Sequence, residues 1–369
     1  MIFLIRYIAS HCRANIIVVE DDVQLQKILK IRSELPDLKA VVQYTGIPLQ
    51  EDVLSWRAFM KLGEESSELD EIVNQRLSRV GVNECCHLVY TSGTTGPPKA
   101  VMLSHDNLTF AGRLIRDTYK LKMEEERNVS YLPLSHVAAN MVDLIIVLSC
   151  RGTTYFAEKS ALKGTLTKTL QEVLPTLFFG VPRVWEKIQE KMLEVGRANK
   201  GLKRQIGNWA KKTGLKRNRT LIERRQAAGS AADSLSYKLA NKLVFEKVKS
   251  ALGLSKCGNR FFVAAAPFNN NTFEYFLSLD IRILEIYGMS ECSGPHTINT
   301  TDEQGVGSVG KTLKMCGTKI DVDITTSDKA AVQQGGEILM RGRHVMMGYL
   351  LDQEKTADAV EDTKEGWLR

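Results

Sequence analysis

One segment constrains this chain more than any other, because it joins two apolar runs through a loop of hydroxyls and glycines. The segment reads LVYTSGTTGPPKAVMLSHDN and covers residues 88–107. The apolar, partly β-branched runs on either side predict two buried strands. The polar residues between them predict a loop that follows the first strand and ends at Lys99, where the second strand begins.

The loop has the chemistry of an anion site. Four hydroxyl side chains can donate to bound oxygens: Thr91, Ser92, Thr94 and Thr95. Gly93 and Gly96 have no Cβ and allow close backbone approach, and Lys99 adds a positive charge. The composition predicts binding of the β- and γ-phosphates of a nucleotide. The spacing differs from GxxxxGK[ST], and Ala100 follows the lysine, which disfavours kinase and GTPase interpretations. An ordinary Ser/Thr/Gly loop would explain the composition, but it would not explain why four hydroxyls, two glycines and a lysine occur together in so short a segment.

Short β-branched runs bounded by turns recur along the chain and predict strands. The predicted strands are 15–20, 39–44, 87–91, 129–132, 153–156, 176–179, 261–265, 281–286 and 337–340. Helical spacing of apolar residues ends at Gly196 in one segment and at Gly253 in another. Alternating strands and helices predict an α/β fold with largely parallel sheets and helices on both faces.

Composition sets two regions apart within the chain. Residues 1–369 together are long enough for one large core or two joined cores. Residues 197–232 are polar, basic and dotted with glycine, and are interpreted as an insertion and as the best linker candidate. Residues 301–369 carry short strands and turns, and predict a β-rich subdomain.

The net charge of +7 is concentrated between residues 197 and 225, where Glu223 is the single acid. Three interpretations stay open for this basic run: a solvated helix surface, a contact with anionic membranes, or a contact with nucleic acid. No aromatic residues alternate with the cations, which disfavours base stacking. The seven cysteines include no CxxC pair and indicate reduced thiols, which favours a cytoplasmic protein.

A second motif, YGMSECSGPHT, covers residues 287–297 and follows an apolar run. Tyr287 at a strand end can stack on a purine, and Gly288 permits close approach of a ligand. Ser290 can bond a phosphate, and Glu291 can hold Mg²⁺. Taken alone, Glu291 would be interpreted as a surface acid.

These motifs resemble the adenylate-forming superfamily of acyl-CoA synthetases, peptide-synthetase adenylation domains and luciferases, whose phosphate loop is similar to YTSGTTGxPKG. Ala100 replaces the last glycine of that pattern. The resemblance implies the large N-terminal domain of that fold, with ATP and Mg²⁺ as cofactors and Lys99 and Glu291 as catalytic residues. It implies a nucleotide site that extends to Ala265, Ala266, Tyr287, Gly288, Met289 and Ser290, and a metal site at Glu291 and Thr95.

The resemblance also implies a place for His136, in the stretch LPLSH that is similar to a family motif beside the acyl pocket. A satisfied core histidine is the alternative. Further stretches, among them FGVPRVWE at 179–186, are similar to the bubblegum group of long-chain acyl-CoA synthetases. That similarity implies a long-chain fatty acid and CoA as substrates. It implies too that family segments outside residues 1–369, including the small C-terminal domain with its lysine, belong to the full enzyme.

Three functions remain after this reasoning. The first is a long-chain fatty acid–CoA ligase that forms an acyl-adenylate and then a thioester with CoA. The second is a catalytically incomplete protein that binds the nucleotide or the acyl chain. The third is a basic adaptor that contacts membranes or nucleic acid through residues 197–225.

Overall fold

A computed structural model describes residues 2–64, 68–91, 96–225, 233–321, 336–362 and 366–369. The chain forms two units, one of residues 1–84 with 90–100 and the other of residues 85–89 with 101–369. Strands β4 (Cys85–Thr91) and β5 (Lys99–Ser104) each contribute residues to both units.

The first unit contains a three-stranded parallel sheet in the order β1-β2-β3. Its strands are β1 (Ile16–Val19), β2 (Ala40–Gln43) and β3 (Val53–Ser55), and its helices are α1 (Ile2–His11), α2 (Asp22–Leu29), α3 (Trp56–Glu64) and α4 (Glu68–Arg79). Helix α2 begins where the Asp21 side chain accepts a hydrogen bond from Gln24 N at 3.0 Å. Leu25 and Ile28 then lie on its buried face, against Val41 of the sheet.

The second unit is built on a five-stranded sheet in the order β12-β11-β10-β9-β8. Besides the parts of β4 and β5 that belong to it, the second unit contains the strands β6 (Arg127–Ser130), β7 (Thr153–Phe156), β8 (Phe178–Gly180), β9 (Phe261–Val263), β10 (Ile283–Met289), β11 (Gly294–Ile298), β12 (Lys311–Thr312), β13 (Gly317–Asp321), β14 (Glu337–Arg341), β15 (Gly348–Tyr349), β16 (Val360–Asp362) and β17 (Trp367–Leu368). Strands β8, β9 and β10 are parallel, and β11 turns back antiparallel to β10. The carboxyl ends of the three parallel strands therefore lie at one edge.

The described residues of the second unit also form helices. They are α5 (His105–Thr118), α6 (Val137–Asn140), α7 (Val147–Ser149), α8 (Leu166–Val173), α9 (Pro182–Arg197), α10 (Gly201–Glu223), α11 (Leu235–Ala240), α12 (Glu246–Ala251), α13 (Asn270–Ser278) and α14 (Gln353–Ala359). Two π-helical turns, Met141–Ile146 and Asn241–Phe245, join α6 to α7 and α11 to α12. Over the described residues, no helix combines the length and the apolar character that crossing a bilayer needs.

Helix α5 shows why the sequence folds this way locally. Ser104 and Asn107 form a capping box, with Asn107 N donating to Ser104 Oγ at 3.1 Å and Ser104 N donating to Asn107 Oδ1 at 2.8 Å. Leu108, Ala111 and Ile115 follow at helical spacing and are buried. The cap fixes the start of the helix, and the apolar stripe fixes the face that packs on the core.

All nine predicted strands are confirmed, with ends that differ by a few residues. The predicted strand 176–179 begins later, at Phe178, because Thr176 bonds elsewhere. Its backbone N–H donates to Arg127 O at 2.9 Å, and its hydroxyl accepts from Arg127 N at 2.9 Å. The α/β prediction is confirmed as well. The division into regions stays a prediction, although residues from Gly317 onward do form a four-stranded sheet in the order β13-β14-β17-β16.

Where α10 lies, the basic segment is a packed helix, and its role as an insertion stays a prediction. Gly214, which suggested a flexible segment, is buried where α10 crosses α13, and a Cβ there would lie 2.4 Å from Ser278 O. Asn218, also buried, donates to Leu277 O at 2.9 Å. A glycine that permits close helix packing and a glycine that loosens a linker look alike in sequence.

Candidate active site

The predicted phosphate loop belongs to the first unit. Thr91 is the last residue of β4 and Lys99 is the first of β5, so the loop joins two strands as predicted. Ser92, Gly93, Thr94 and Thr95 lie outside the described residues. Gly96 has φ +92°, with open space where a Cβ would be. This positive φ is the conformation that favours glycine and explains its use at this turn.

The second motif belongs to the other unit and begins at the carboxyl end of β10. Tyr287 is half-buried, and burial is the main cause that raises the pKa of its hydroxyl. The nearby Cys292 raises this pKa as well. The pairing of β10 with β11 is irregular between Tyr287 and Gly288. A Cβ at Gly288 would lie 1.6 Å from Gly294 O. Only glycine fits this crossing, so the residue is needed first for the close approach of two strands.

Glu291 lies in a short 3₁₀ turn, Ser290–Cys292, which directly follows Met289, the last residue of β10. Its carboxylate oxygen Oε1 accepts a hydrogen bond from the Tyr349 hydroxyl at 2.9 Å, and its backbone oxygen accepts one from Met346 N at 2.7 Å. The residue is half-buried, and a carboxylate is the type of ligand that binds a hard cation. Its predicted partner at the metal, Thr95, is outside the described residues.

The turn after β9 contains Ala264, Ala265 and Ala266. Ala265 has φ +77°, a left-handed conformation that costs a side-chain-bearing residue about 1–3 kcal/mol. Ala264 and Ala265 line the cavity described below. Ala266 is exposed in the same turn. The strained turn therefore presents its backbone at the carboxyl edge of the sheet, where ligands bind in open α/β folds.

His136 lies immediately before α6 and is exposed. The alternative that it is a satisfied core histidine is wrong. Its backbone N–H donates to Pro133 O at 3.1 Å, which closes the turn that leads into the helix. The next two residues, Val137 and Ala138, line the same cavity as Ala265. His136 itself is not among the residues that line the cavity.

An apolar cavity of about 100 Å³ lies in the second unit. Residues from β8, β9, β10, α5 and the helix that follows His136 line it: Ile115, Tyr119, Leu121, Val137, Ala138, Met141, Val142, Ile146, Leu177, Phe179, Phe262, Ala264, Ala265, Ile286, Gly288, Gly294 and Pro295. No charged residue is among them. The cavity suits an apolar ligand.

The π-helical turn Met141–Ile146 forms part of this wall, through Met141, Val142 and Ile146. Such turns are rare and recur at functional sites. The turn also directs Asp143 away from the cavity to β6, where Asn128 Nδ2 donates to its carboxylate at 2.6 Å. Burial raises the pKa of Asp143 to about 6, against the lowering effect of bonds from Ser130 and Asn128.

The structure brings Ala265, Gly288 and the neighbours of His136 together around one cavity. Sequence reasoning missed Tyr349, Tyr119 and the π-helical turn. Tyr349 is 58 residues from Glu291 along the chain. Neither its type nor its local spacing signals that contact, so only the folded structure could reveal it.

The chain is similar in sequence to known proteins. A family description, "AMP-binding enzyme", matches residues 4–350. The chain is 47% identical to the long-chain-fatty-acid–CoA ligase ACSBG2 of Xenopus laevis, over 98% of this chain and 47% of that protein. It is 42% identical to the human long-chain-fatty-acid–CoA ligase ACSBG1, over 98% of this chain and 48% of that protein. The chain thus spans about half the length of these relatives.

Among solved structures, the anthranilate CoA ligase AuaEII in complex with anthranoyl-AMP superimposes with a TM-score of 0.66. The superposition covers 100% of this chain and 57% of that one, at 17% identity, and shows the fold alone. It confirms the predicted fold class, the large domain of the adenylate-forming fold. With the match over residues 4–350, these similarities show that the chain belongs to the family of AMP-binding enzymes.

Proposed function

We propose that this chain is part of a long-chain fatty acid–CoA ligase and binds the fatty acid and ATP. The apolar cavity carries the proposal, because its lining has no charge and includes Ala265 and Gly288 of the nucleotide motifs. An alkyl chain gains about 0.8 kcal/mol for each methylene moved from water into such a chamber. The relatives named as long-chain-fatty-acid–CoA ligases support the same substrate class.

The reaction proceeds in two steps. A carboxylate oxygen of the fatty acid attacks the α-phosphorus of ATP, a new P–O bond forms, and the bond between the α- and β-phosphates breaks to release pyrophosphate. The sulfur of CoA then attacks the acyl carbon, the thiol proton is lost, and AMP leaves. His136, exposed before α6, would orient the carboxylate end of the acid.

Each motif would supply its own contacts to the nucleotide. Lys99 and the hydroxyls of its loop would contact the phosphates, and Tyr287 would stack on adenine. Glu291 would hold Mg²⁺ through the carboxylate that Tyr349 orients at 2.9 Å. The ion would offset phosphate charge as pyrophosphate departs. One carboxylate together with phosphate oxygens is a common ligand set for Mg²⁺.

Exchange of labelled pyrophosphate into ATP tests the adenylation step directly. We expect exchange that requires a long-chain acid, does not occur with acetate, and falls at least tenfold in Lys99→Ala and in Glu291→Ala. Lys168→Ala is the matched control, since this lysine is exposed on α8 with 74% of its side-chain surface accessible. ATP binding without exchange would favour the catalytically incomplete binding protein. Absence of both exchange and binding would refute the proposal.

We also propose that the basic segment 197–225 contacts anionic membranes, from which a long-chain acid can be drawn. Helix α10 buries Ala210 and Leu221, and it exposes Lys203, Lys212 and Lys216. Leu202 is 71% exposed among these cations. Cations mixed with exposed apolar side chains are typical of helices that lie on a lipid surface.

Sedimentation with vesicles of phosphatidylserine and phosphatidylcholine tests this contact. We expect binding that weakens as salt rises and is lost when Lys203, Lys212 and Lys216 are replaced together by glutamate. The control replaces Lys27, Lys61 and Lys355, which lie outside the segment. Equal binding of both variants would contradict the proposal. Binding to single-stranded RNA but not to vesicles would favour the nucleic-acid interpretation instead.

A further inference from the structure

The apolar cavity runs along one face of the sheet. It begins at Ala265 and Gly288, at the carboxyl ends of β9 and β10, and reaches Leu177, which lies directly before β8. Tyr119 and Leu121, which follow the end of α5, line it as well. The cavity therefore spans the sheet from its carboxyl edge to its amino edge.

A second, polar cleft lies at that amino edge. Thr176 and Arg260 come directly before or near the starts of β8 and β9, and Arg127 is the first residue of β6. Cations dominate the cleft wall, which carries Lys120, Lys122, Arg127, Lys256, Arg260 and Lys314. Four acids also line it: Asp117, Glu125, Glu126 and Asp302. The cleft is lined by charged side chains, in contrast to the cavity.

Tyr119 lines both spaces. The chain after it alternates, because Lys120 and Lys122 face the cleft whereas Leu121 faces the cavity. This segment is the turn that ends α5, with Tyr119 as its C-cap and Lys120 at φ +49°, and it directs successive side chains to the two spaces, so the wall between them is thin. Tyr119 is the part of that wall whose surface is shared by an apolar chamber and a charged cleft.

The ring of Tyr119 is fixed at both ends. Its hydroxyl donates to Asn299 O at 2.8 Å. Its ring packs against Phe262, with centroids 4.7 Å apart and planes at 60°. Asn299 is itself held, because its Nδ2 donates to Glu285 O at 3.1 Å and to Ser308 O at 2.6 Å. A side chain anchored in this way is a rigid stop.

We propose that Tyr119 closes the far end of the acyl cavity and sets the longest fatty acid that the cavity accepts. The inference rests on the proposed function and adds to it the residue that determines chain length. An alkyl chain that fits gains about fourfold in affinity for each methylene buried. A methylene beyond the wall would have to displace Tyr119 or enter the polar cleft, and would gain nothing.

The test is a binding series. Displacement of a fluorescent fatty acid by straight-chain saturated acids from lauric to lignoceric gives a length profile for the wild type, which should rise and then level off. Tyr119→Ala and Tyr119→Leu should move the plateau to longer acids. Tyr119→Phe is the matched control, because it keeps the ring against Phe262 and loses only the bond to Asn299 O. Its plateau should stay at the wild-type length.

A second ligand class sharpens the result. Opening the wall would expose the end of a long chain to Lys120 and Lys256. Long α,ω-dicarboxylic acids should therefore gain at least tenfold in affinity in Tyr119→Ala, relative to the monocarboxylic acids of equal length. The wild type and Tyr119→Phe should show no such gain.

The possible outcomes distinguish a failure of the proposed function from a failure of the inference about Tyr119. A wild type that binds no fatty acid overturns the proposed function and this inference with it. A wild type that binds fatty acids, together with unchanged plateaus in Tyr119→Ala and Tyr119→Leu, overturns the inference and leaves the function standing. Melting temperatures establish that each variant is folded, and Tyr119→Leu retains apolar contact with Phe262 where alanine leaves a cavity.

Discussion

His296 and His344 form a stacked pair with ring planes within 4° of parallel and centroids 5.1 Å apart. His296 Nδ1 is 2.9 Å from His344 Nε2, and both residues are fully buried. The outer nitrogens are also occupied, His296 Nε2 by Thr318 Oγ1 at 2.8 Å and His344 Nδ1 by Cys316 Sγ at 3.4 Å. One ring nitrogen of the pair must donate and the other accept, so the arrangement requires at least one neutral imidazole.

Stability should fall at mildly acidic pH because of this pair. The pKa of His344 is lowered from 6.5 to about 4. Burial is the larger cause, and the neighbouring His296 is the smaller one. Between these values the unfolded chain binds a proton that the folded chain does not, so the free energy of unfolding decreases as pH falls through this window. We expect His344 to contribute a loss on the order of 2 kcal/mol.

Urea unfolding at a series of pH values measures this contribution. The variant His344→Gln cannot titrate in the window and should show a shallower dependence on pH than the wild type. The exposed His105→Gln is the matched control and should keep the wild-type slope. Identical slopes for the wild type and His344→Gln would contradict the prediction.

Asp143 should change the pH dependence of stability in the opposite direction to His344. Its pKa is raised from 3.8 to about 6 by burial, so the folded chain binds a proton that the unfolded chain has lost between these values. The folded state is therefore penalised as pH rises through about 6. Asp143→Asn removes the penalty and should stabilise the protein at neutral pH by roughly 2 kcal/mol, with little effect below pH 3.8.

The measurement is again denaturant unfolding, here as the difference between Asp143→Asn and the wild type at each pH. Asp117→Asn provides the control on an exposed carboxylate, 54% of whose side-chain surface is accessible. A difference that does not change with pH would show that Asp143 titrates alike in the folded and unfolded chains.

The sequence predicts those parts of the fold whose signals are local. The short strand of residues 153–156 and the junction of Thr91 and Lys99 with their strands need only neighbouring residues to be recognised. Resemblance to short family motifs indicated Ala265 and Gly288, and the structure puts both at one cavity. These features depend on short stretches of chain, which is why they could be read before the structure was known.

What the sequence did not predict depends on contacts between distant segments. Tyr119 reaches Asn299 across 180 residues, and His296 reaches His344 across 48. No local pattern encodes the partner in either case. Gly214 shows the same limit, because the close approach of α13 that requires it is a tertiary fact. Side-chain type indicates what a residue can do, and only packing decides what it meets.

Arg260 should be important for stability because it is paired with a buried carboxylate. Its Nη1 donates to both oxygens of Glu126 at 2.8 and 3.0 Å, and the Glu126 side chain is 2% exposed. Lys122 N and Thr176 Oγ1 donate to the same carboxylate, at 2.7 and 2.5 Å. Arg260→Ala leaves a buried charge without its cation and should cost about 3 kcal/mol.

The shift in the urea midpoint measures this cost. The double variant Glu126→Gln/Arg260→Met removes both charges and should recover a large part of the stability, since the expense lies in the uncompensated carboxylate. Arg183→Ala, which breaks an exposed pair with Glu186 at 3.2 Å, should change stability by less than about 1 kcal/mol. A larger loss in the double variant than in Arg260→Ala would refute this account.

Tyr349 should affect the metal-bound nucleotide selectively. Its hydroxyl donates to Glu291 Oε1 at 2.9 Å, and the residue is 6% exposed. Tyr349→Phe keeps the packed ring and removes the donor, so the Glu291 carboxylate loses the bond that fixes its orientation. Since partners of this kind typically change metal affinity by about 10–100-fold, we expect the Kd for ATP with Mg²⁺ to rise roughly tenfold. The Kd for ATP in EDTA should stay unchanged.

Isothermal titration of ATP under the two conditions makes the comparison, and Tyr155→Phe is the matched control on an exposed tyrosine, 41% accessible. Equal losses of affinity with and without Mg²⁺ would indicate that Tyr349 supports the fold around β15 and not the carboxylate. A loss confined to the magnesium condition would tie the hydroxyl to the metal through Glu291. It would also explain why a tyrosine is buried at a position where phenylalanine would satisfy the packing alone.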